Sequence, residues 1–468
     1  MTFLTGGQIA RSSFLTSLLR YSRSWGLWVL LLLAPIGARL WIGDPRHGGA
    51  AISVNGKAPI MTSDMLGVSL GIVVSTLLLP AAFIYFRASV THRQPWQIEE
   101  VTGASRVESA LGHFLADTAI VSAALAAMTL AGLIIGLISG TPGGLHPLNI
   151  VFGLWVIALP AVMVVAALRR LLDALPWTRG AWGEVIGLAL WVAALTGPTS
   201  APALSPELAY HPLDLAGFVR PLTETLPADH RDVMIGGGPD TDGTIALDVA
   251  KGLNADGYLG SRIAWVAIAF VMTIAAGLLY RPHRPRPMRR VSRLSKWMQP
   301  SAPKAIRRQA EAAAPASFRY LSLIAAEFQL IGPSRVWRSA AVLIALVSAF
   351  ADYRHAAGPA ALLLLIFGMS SHIGRAERPQ LLALTSTMSC SPWIRRSAFV
   401  MAAISWVVAM GLPAIVRGVA KGVPEPLLLA IATAGAAAIT AMCLGVLTRS
   451  AFAPRLALLI GWYVWLSL

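Results

Sequence analysis

Long runs of apolar residues constrain this chain more than any other feature. Residues 25–41, 65–86 and 111–139 are each long enough to cross a hydrocarbon core of about 30 Å. A soluble protein carries about 25% charged residues, whereas this chain of 468 residues carries only 13%. The first run is too long for a signal peptide, and further runs follow it. We therefore predict an all-α polytopic membrane protein.

Eleven segments are predicted to be transmembrane helices. They are approximately 25–42, 65–86, 108–139, 149–168, 181–199, 262–280, 337–352, 357–372, 393–416, 425–447 and 453–468. Most of the 38 Lys and Arg residues fall in the N-terminal segment and in alternate connections after it. The positive-inside rule therefore places the N-terminus in the cytoplasm, and we expect a multi-pass protein of the bacterial cytoplasmic (inner) membrane. The net charge of +16 is then a topology signal, and we expect no nucleic-acid partner.

The connections divide the chain into three predicted domains. Residues 1–280 form a first module of six spans, with an outer segment at 198–261. Residues 281–315 are rich in arginine and proline, which predicts a cytoplasmic linker lying against anionic lipid headgroups. Residues 316–468 form a second, shorter module of five spans. In the outer connection after the first span, Asn-Gly within AISVNGKAPI (51–60) predicts a small β-hairpin.

The two modules begin alike and carry a similar cytosolic connection. GQIARSSFLTSLLRYSRS and SFRYLSLIAAEFQLIGPSR precede the first and seventh spans, and both fit amphipathic helices in the membrane interface. QPWQIEEVTGAS follows the second span: Pro95 suits the first turn of a short helix and Gly103 its end. Ser105, with Glu108 three residues on, predicts the capped start of the third span. The connection after the eighth span, ERPQLLALTSTMSCSPWIRR, has the same features: Pro379 can open a short helix, and Ser391 with Pro392 can cap the ninth span.

This order of elements resembles the membrane (permease) subunit of an ABC-2 type ABC transporter, with two fused half-permease modules. The resemblance implies that the short cytosolic helices are coupling helices, docked on separate nucleotide-binding ATPase subunits, two in the simplest assembly. It further implies export of a hydrophobic or amphipathic cargo, such as a lipid-like molecule, a peptide or an antibiotic. The implied coupling residues are Trp96, Ile98, Glu99, Glu100, Arg106, Arg378, Leu381 and Leu382.

Motifs for chemistry within the chain are missing from the sequence. No G-x-x-x-x-G-K-S/T motif occurs, so the chain should not be an enzyme by itself, and ATP and Mg would bind to the partner ATPase subunits. No H-E-x-x-H motif occurs either, and we expect no metal site. An intramembrane enzyme acting on lipid would need a convergent polar site, and the sequence shows none.

His113 and Asp117 are a pair of ionisable residues within a predicted span. They lie four residues apart on the predicted third span, and an ionisable residue within a span is a functional hypothesis by default. A structural pair and a proton relay both fit the spacing. A relay would favour the alternative function, a secondary transporter driven by an ion gradient.

Overall fold

The computed structural model describes most of the chain in two compact units, Met1–His283 and Arg284–Leu468. The described residues are 6–42, 52–88, 105–175, 178, 181–200, 214–226, 233–235, 243–280, 316–332, 335–370, 391–448 and 452–467.

Helices dominate both units. The described elements of the first unit are α1 (Gly6–Ser22), α2 (Trp25–Trp41), β1 (Ile52–Val54), β2 (Ala58–Pro59), α3 (Ser63–Val73), a π-helical turn (Val74–Leu78), α4 (Leu79–Ala88), α5 (Arg106–Ser139), α6 (Pro147–Ala174), α7 (Ala181–Ser200), α8 (Val219–Thr223), β3 (Val233–Ile235), β4 (Thr244–Ile245), α9 (Val249–Leu253) and α10 (Tyr258–Leu279). Those of the second unit are α11 (Ala316–Ile331), α12 (Arg335–Ser348), a π-helical turn (Tyr353–Ala357), α13 (Gly358–Ser370), α14 (Pro392–Ala420), α15 (Glu425–Thr448) and α16 (Phe452–Ser467).

Six helices in the described part are long and apolar enough to cross a membrane. They are Ser63–Arg87, Arg106–Ser139, Pro147–Ala174, Tyr258–Leu279, Pro392–Ala420 and Glu425–Thr448. The prediction of a helical membrane protein is therefore confirmed. Helices also occupy the other five predicted spans, but their apolar portions are shorter. The count of eleven spans stays a prediction.

Close backbone contact between α3 and α6 organises the first unit. Gly67 lies against α6, where an added methyl group would be 2.8 Å from the carbonyl oxygen of Ile150. Gly153 faces Gly67 in turn, and a methyl group there would be 3.3 Å from the Gly67 carbonyl carbon. Because no side chain separates the two backbones, the helices approach as small residues allow in membrane proteins.

The predicted hairpin is present and is part of a larger β-element. Asn55 and Gly56 both have positive φ angles, 52° and 70°, as a tight hairpin turn requires. Val54 and Lys57 exchange backbone hydrogen bonds of 2.9 and 3.0 Å. β1 pairs antiparallel with β3, and β2 pairs parallel with β4, so the segment predicted to lie outside contributes two more strands.

The second unit is built around aromatic contacts between α11, α12 and α14. The rings of Phe328 and Trp406 stack with centroids 4.0 Å apart, and Trp337 meets Trp406 edge-on at 4.3 Å. The indole of Trp406 also donates a 2.8 Å hydrogen bond to the Phe328 carbonyl oxygen. α11 is thereby fixed along α14.

The predicted starts of two spans are confirmed, but the side-chain caps predicted at Ser105 and Ser391 are both wrong. Ser105 and Ser391 stand at the N-cap positions of α5 and α14, and Pro392 opens α14. The Ser105 side chain makes no capping hydrogen bond, and Oε2 of Glu108 is buried without a hydrogen-bond partner among the described residues. The backbone alone closes this first turn, through a 3.1 Å bond from Ser109 N to the Ser105 carbonyl oxygen.

Candidate functional site

A ladder of polar side chains joins α1 to the first part of α5. Its three rungs are Ser13–Ser109 at 3.5 Å, Ser17–His113 at 2.6 Å and Tyr21–Asp117 at 2.5 Å. Each rung joins residues 96 positions apart, so the two helices run parallel and in register. The predicted amphipathic helix therefore turns a polar face towards α5, while Leu15 and Leu19 on its other side are 46% and 60% exposed.

Asp117 is the most heavily bonded residue of the ladder. One carboxylate oxygen accepts from Nη1 of Arg169 at 2.7 Å and from Nε and Nη2 of Arg170 at 3.1 and 2.8 Å. The other accepts the 2.5 Å bond from Tyr21, and the residue is 0% exposed. Charge-assisted bonds of this kind are about twice as strong as neutral ones. Asp117 therefore joins α1, α5 and α6 at one point.

The ionic contacts continue from α6 to α4. Nε of Arg169 lies 3.2 Å from Oδ2 of Asp173, as an ion pair without hydrogen-bond alignment. Oδ1 of Asp173 accepts a 3.1 Å bond from Nη1 of Arg87, whose Nη2 donates to the Thr178 carbonyl oxygen at 3.1 Å. Five side chains thus alternate in sign, and we call them the charge chain: Arg170, Asp117, Arg169, Asp173 and Arg87.

The charge chain carries three guanidinium groups and two carboxylates, and one helix end offsets part of the difference. Arg87 lies in the last turn of α4. A helix C-terminus is equivalent to about half a negative charge, which acts within its last turn. The C-terminal end of α4 therefore stabilises the buried guanidinium of Arg87.

Aromatic rings pack beside Asp117 and Arg169 of the charge chain. Tyr21 lies 5.7 Å from Tyr85 and 5.9 Å from Phe86, measured between ring centroids. The guanidinium of Arg169 stands 5.7 Å above the Phe86 ring. Burial, and then the negative charge of Asp117, raise the pKa of the Tyr21 hydroxyl. Tyr21 is therefore neutral and acts as a hydrogen-bond donor.

The charge chain lies at one end of the first predicted coupling segment, and Arg106 lies at the other. Arg87 is one residue from the end of α4 at Ala88, and α5 begins at Arg106. Nη1 of Arg106 donates a 3.0 Å bond to the Tyr280 carbonyl oxygen, which fixes the start of α5 to the end of α10. The other predicted coupling residues lie outside the described residues: Trp96, Ile98, Glu99, Glu100, Arg378, Leu381 and Leu382.

The two members of the predicted polar pair bond to different partners. His113 bonds to Ser17, and Asp117 bonds to Tyr21 and to the two arginines of α6. Sequence reasoning found His113 and Asp117 but missed their partners. The available signal was the spacing of Arg169 and Asp173, which lie four residues apart on a helix and can form an ion pair.

The described residues hold no group of three or more His, Cys, Asp or Glu side chains that could bind a metal ion. No family model, curated protein or solved structure matches the chain. The interpretation of the site therefore depends on its geometry. That geometry is suited to holding four helices together at one end.

Proposed function

We propose that the chain is the membrane subunit of an ATP-driven transporter of the ABC-2 type, exporting a hydrophobic or amphipathic cargo across the bacterial inner membrane. One observation carries the proposal: the charge chain joins α1, α4, α5 and α6, and it starts at Arg87, at the end of α4 that leads into segment 89–104. This segment holds four of the five predicted coupling residues of the first module, and the fifth, Arg106, begins α5. A segment that receives force from a partner needs a stiff base.

The charge chain supplies that stiffness because it is expensive to break. Removing one partner from a buried ion pair costs about 3–5 kcal/mol. A displacement of segment 89–104 would reach Arg87 first, then Asp173 and Arg169 on α6, and through Asp117 the first helix. Force applied at the cytosolic connection would therefore move several helices together.

A similar packing in the second unit supports the proposal of two related half-permease modules. α11 lies along α14 as α1 lies along α5: Tyr320 bonds to Ser397 at 3.1 Å, 77 residues on. Trp406 bonds to the Phe328 carbonyl oxygen, 78 residues back. The nearly constant separation is typical of two parallel helices. The second module uses aromatic stacking where the first uses ions.

Two separate ATPase subunits, with their ATP and Mg, complete the proposed assembly. The experiment is purification of the chain from its native membrane under mild conditions. We expect a P-loop ATPase to copurify and the complex to hydrolyse ATP. A complex without ATPase activity, whose transport follows a proton or sodium gradient, would overturn the proposal in favour of a secondary transporter.

The coupling step has a sharper test in the double variant Glu99→Arg with Glu100→Arg. Because reversed charges would repel the groups that these acids meet on the ATPase, we expect transport to fall while ATP hydrolysis continues. The matched control reverses two exposed acids on the predicted outer side, Asp256→Arg in the outer segment with Glu425→Arg at the outer end of the tenth predicted span. Equal transport in both double variants would remove the coupling role of segment 89–104.

A further inference from the structure

α7 packs along α4 through a face of small residues. A methyl group added at Gly187 would collide with the Phe83 ring, and one added at Gly183 would lie 2.8 Å from Nη2 of Arg87. Gly183 and Gly187 are one helical turn apart, as Phe83 and Arg87 are, and the order is reversed. The two helices therefore run antiparallel in close contact, which small residues at such spacing allow.

One turn beyond Gly187 a hydrogen bond joins α7 to the π-helical turn that precedes α4. The indole nitrogen of Trp191 donates to the Ser75 carbonyl oxygen at 2.8 Å. Ser75 is the central residue of the span Ser63–Arg87, so the bond lies at the middle of that span. A carbonyl group without a partner at this depth would cost several kcal/mol.

The carbonyl of Ser75 is available because of Pro80. Within the π-helical turn Val74–Leu78, Leu79 N bonds to the Val74 carbonyl oxygen, five residues back. In the same register the Ser75 carbonyl would accept from residue 80, but proline has no N–H group. Isolated π-turns are frequent at functional sites. The indole of Trp191 takes the place of the missing backbone donor.

The start of α7 and its middle have different surroundings. Arg87 of the charge chain donates to the carbonyl oxygen of Thr178, which precedes α7, at 3.1 Å, and it lies beside Gly183. At the middle of α7, Leu190 and Val192 are each 47% exposed. The Ser75 hydroxyl, 1% exposed, has no hydrogen-bond partner among the described residues. Behind α7, the middle of the span therefore offers a carbonyl and a hydroxyl group.

We propose that α7 is a hinged gate helix. It pivots about the contact between Gly183 and Arg87 and is latched in the middle of the span by the bond from Trp191 to the Ser75 carbonyl. Opening the latch separates α7 from α4 and exposes both polar groups of Ser75. The gate does not depend on the chain being an ABC permease.

The test measures distances between spin labels on the full chain in lipid nanodiscs, after Cys390 and Cys443 are replaced by alanine. The reporter pair is Leu190→Cys on α7 with Leu148→Cys on α6, and the control pair is Leu130→Cys with Leu148→Cys. Trp191→Phe removes the N–H donor and keeps an aromatic ring. In this variant we expect the reporter pair to show a longer distance, and the population at that distance to rise about tenfold. A tenfold rise corresponds to the loss of one hydrogen bond of about 1.4 kcal/mol.

Pro80→Ala provides an independent variant should Trp191→Phe fail to accumulate. It restores a backbone N–H group that can donate to the Ser75 carbonyl oxygen. Because this donor replaces the indole of Trp191, the same longer distance should appear. The control pair should not change in either variant. An unchanged reporter distribution in the variants that fold would overturn the proposal, and so would equal changes in both label pairs.

Discussion

The hydroxyl of Tyr21 donates a 2.5 Å hydrogen bond to the carboxylate of Asp117, across 96 residues of sequence. The bond attaches the first helix of the chain to a carboxylate that two arginines of α6 already hold. α1 is thus fixed along α5 by its polar side. A helix that sequence patterning assigns to the membrane surface is therefore coupled directly to the charge chain.

Tyr21→Phe should destabilise the first unit by the free energy of one charge-assisted hydrogen bond. Because the acceptor is an ionised carboxylate, we expect a loss of about 1.5–3 kcal/mol in the free energy of unfolding. Tyr85→Phe is the control, since the Tyr85 hydroxyl bonds at 3.1 Å to the neutral Ser24 hydroxyl and should cost about 0.5–1.5 kcal/mol. Thermal unfolding of the purified proteins compares them. Equal losses would contradict a charged acceptor.

Asp117→Asn should be far more damaging, because it leaves Arg169 and Arg170 buried without their shared counter-charge. We expect a loss of about 3–5 kcal/mol, measured by thermal unfolding or by the yield of folded protein. Adding Arg170→Met should restore part of this stability, since Arg169 keeps Asp173. Glu224→Gln is the control: its pair with Arg220 is partly exposed and should contribute at most about 1 kcal/mol. A double variant that is less stable than Asp117→Asn alone would contradict the ion pairing proposed for the charge chain.

Apolar runs and a few turn residues were enough to predict the six long apolar helices of this fold. The starts of α5 and α14 follow from Ser105 and from Ser391 with Pro392, and the hairpin follows from Asn55 and Gly56. Each of these signals is local: a proline at the first turn, or a residue that tolerates positive φ, acts within a few positions.

The site is different because its contacts join distant parts of the sequence. Arg87 and Arg169 look in sequence like the cytoplasmic charges that end many spans, and the positive-inside rule explains them fully. Only the packing of α4, α5 and α6 shows that both are buried against carboxylates. The pairing of β1 with β3 is missed for the same reason, since a strand of three residues carries too little pattern to indicate its partner.

Glu327→Gln should make the second unit less sensitive to pH. Burial raises the pKa of the Glu327 carboxyl, although Arg395 opposes the shift. The folded protein therefore favours the protonated acid, and stability is lost as pH rises from the ordinary glutamate value, about 4.3, through the raised pKa. Glutamine cannot ionise, so the melting temperature of the variant should exceed that of the parent at neutral pH. The two should converge in acid.

The control for this comparison is Glu425→Gln, because Glu425 is exposed at the start of α15. Its melting temperature should follow that of the parent at every pH. A difference between Glu327→Gln and the parent that is the same in acid and at neutral pH would show that ionisation of Glu327 is not the cause.

Tyr353→Phe should stabilise the second unit, which is the reverse of the effect expected for Tyr21. The Tyr353 ring is 3% exposed and packs against Gly411, and its hydroxyl has no hydrogen-bond partner among the described residues. Burial raises the Tyr353 pKa to about 12. A buried hydroxyl without a partner costs about 1–3 kcal/mol, so its removal should raise the free energy of unfolding on that order. Tyr320→Phe, at a surface hydroxyl bonded to Ser397, should change stability little. A loss of stability in Tyr353→Phe would mean that the hydroxyl binds a water molecule or a ligand inside the second unit.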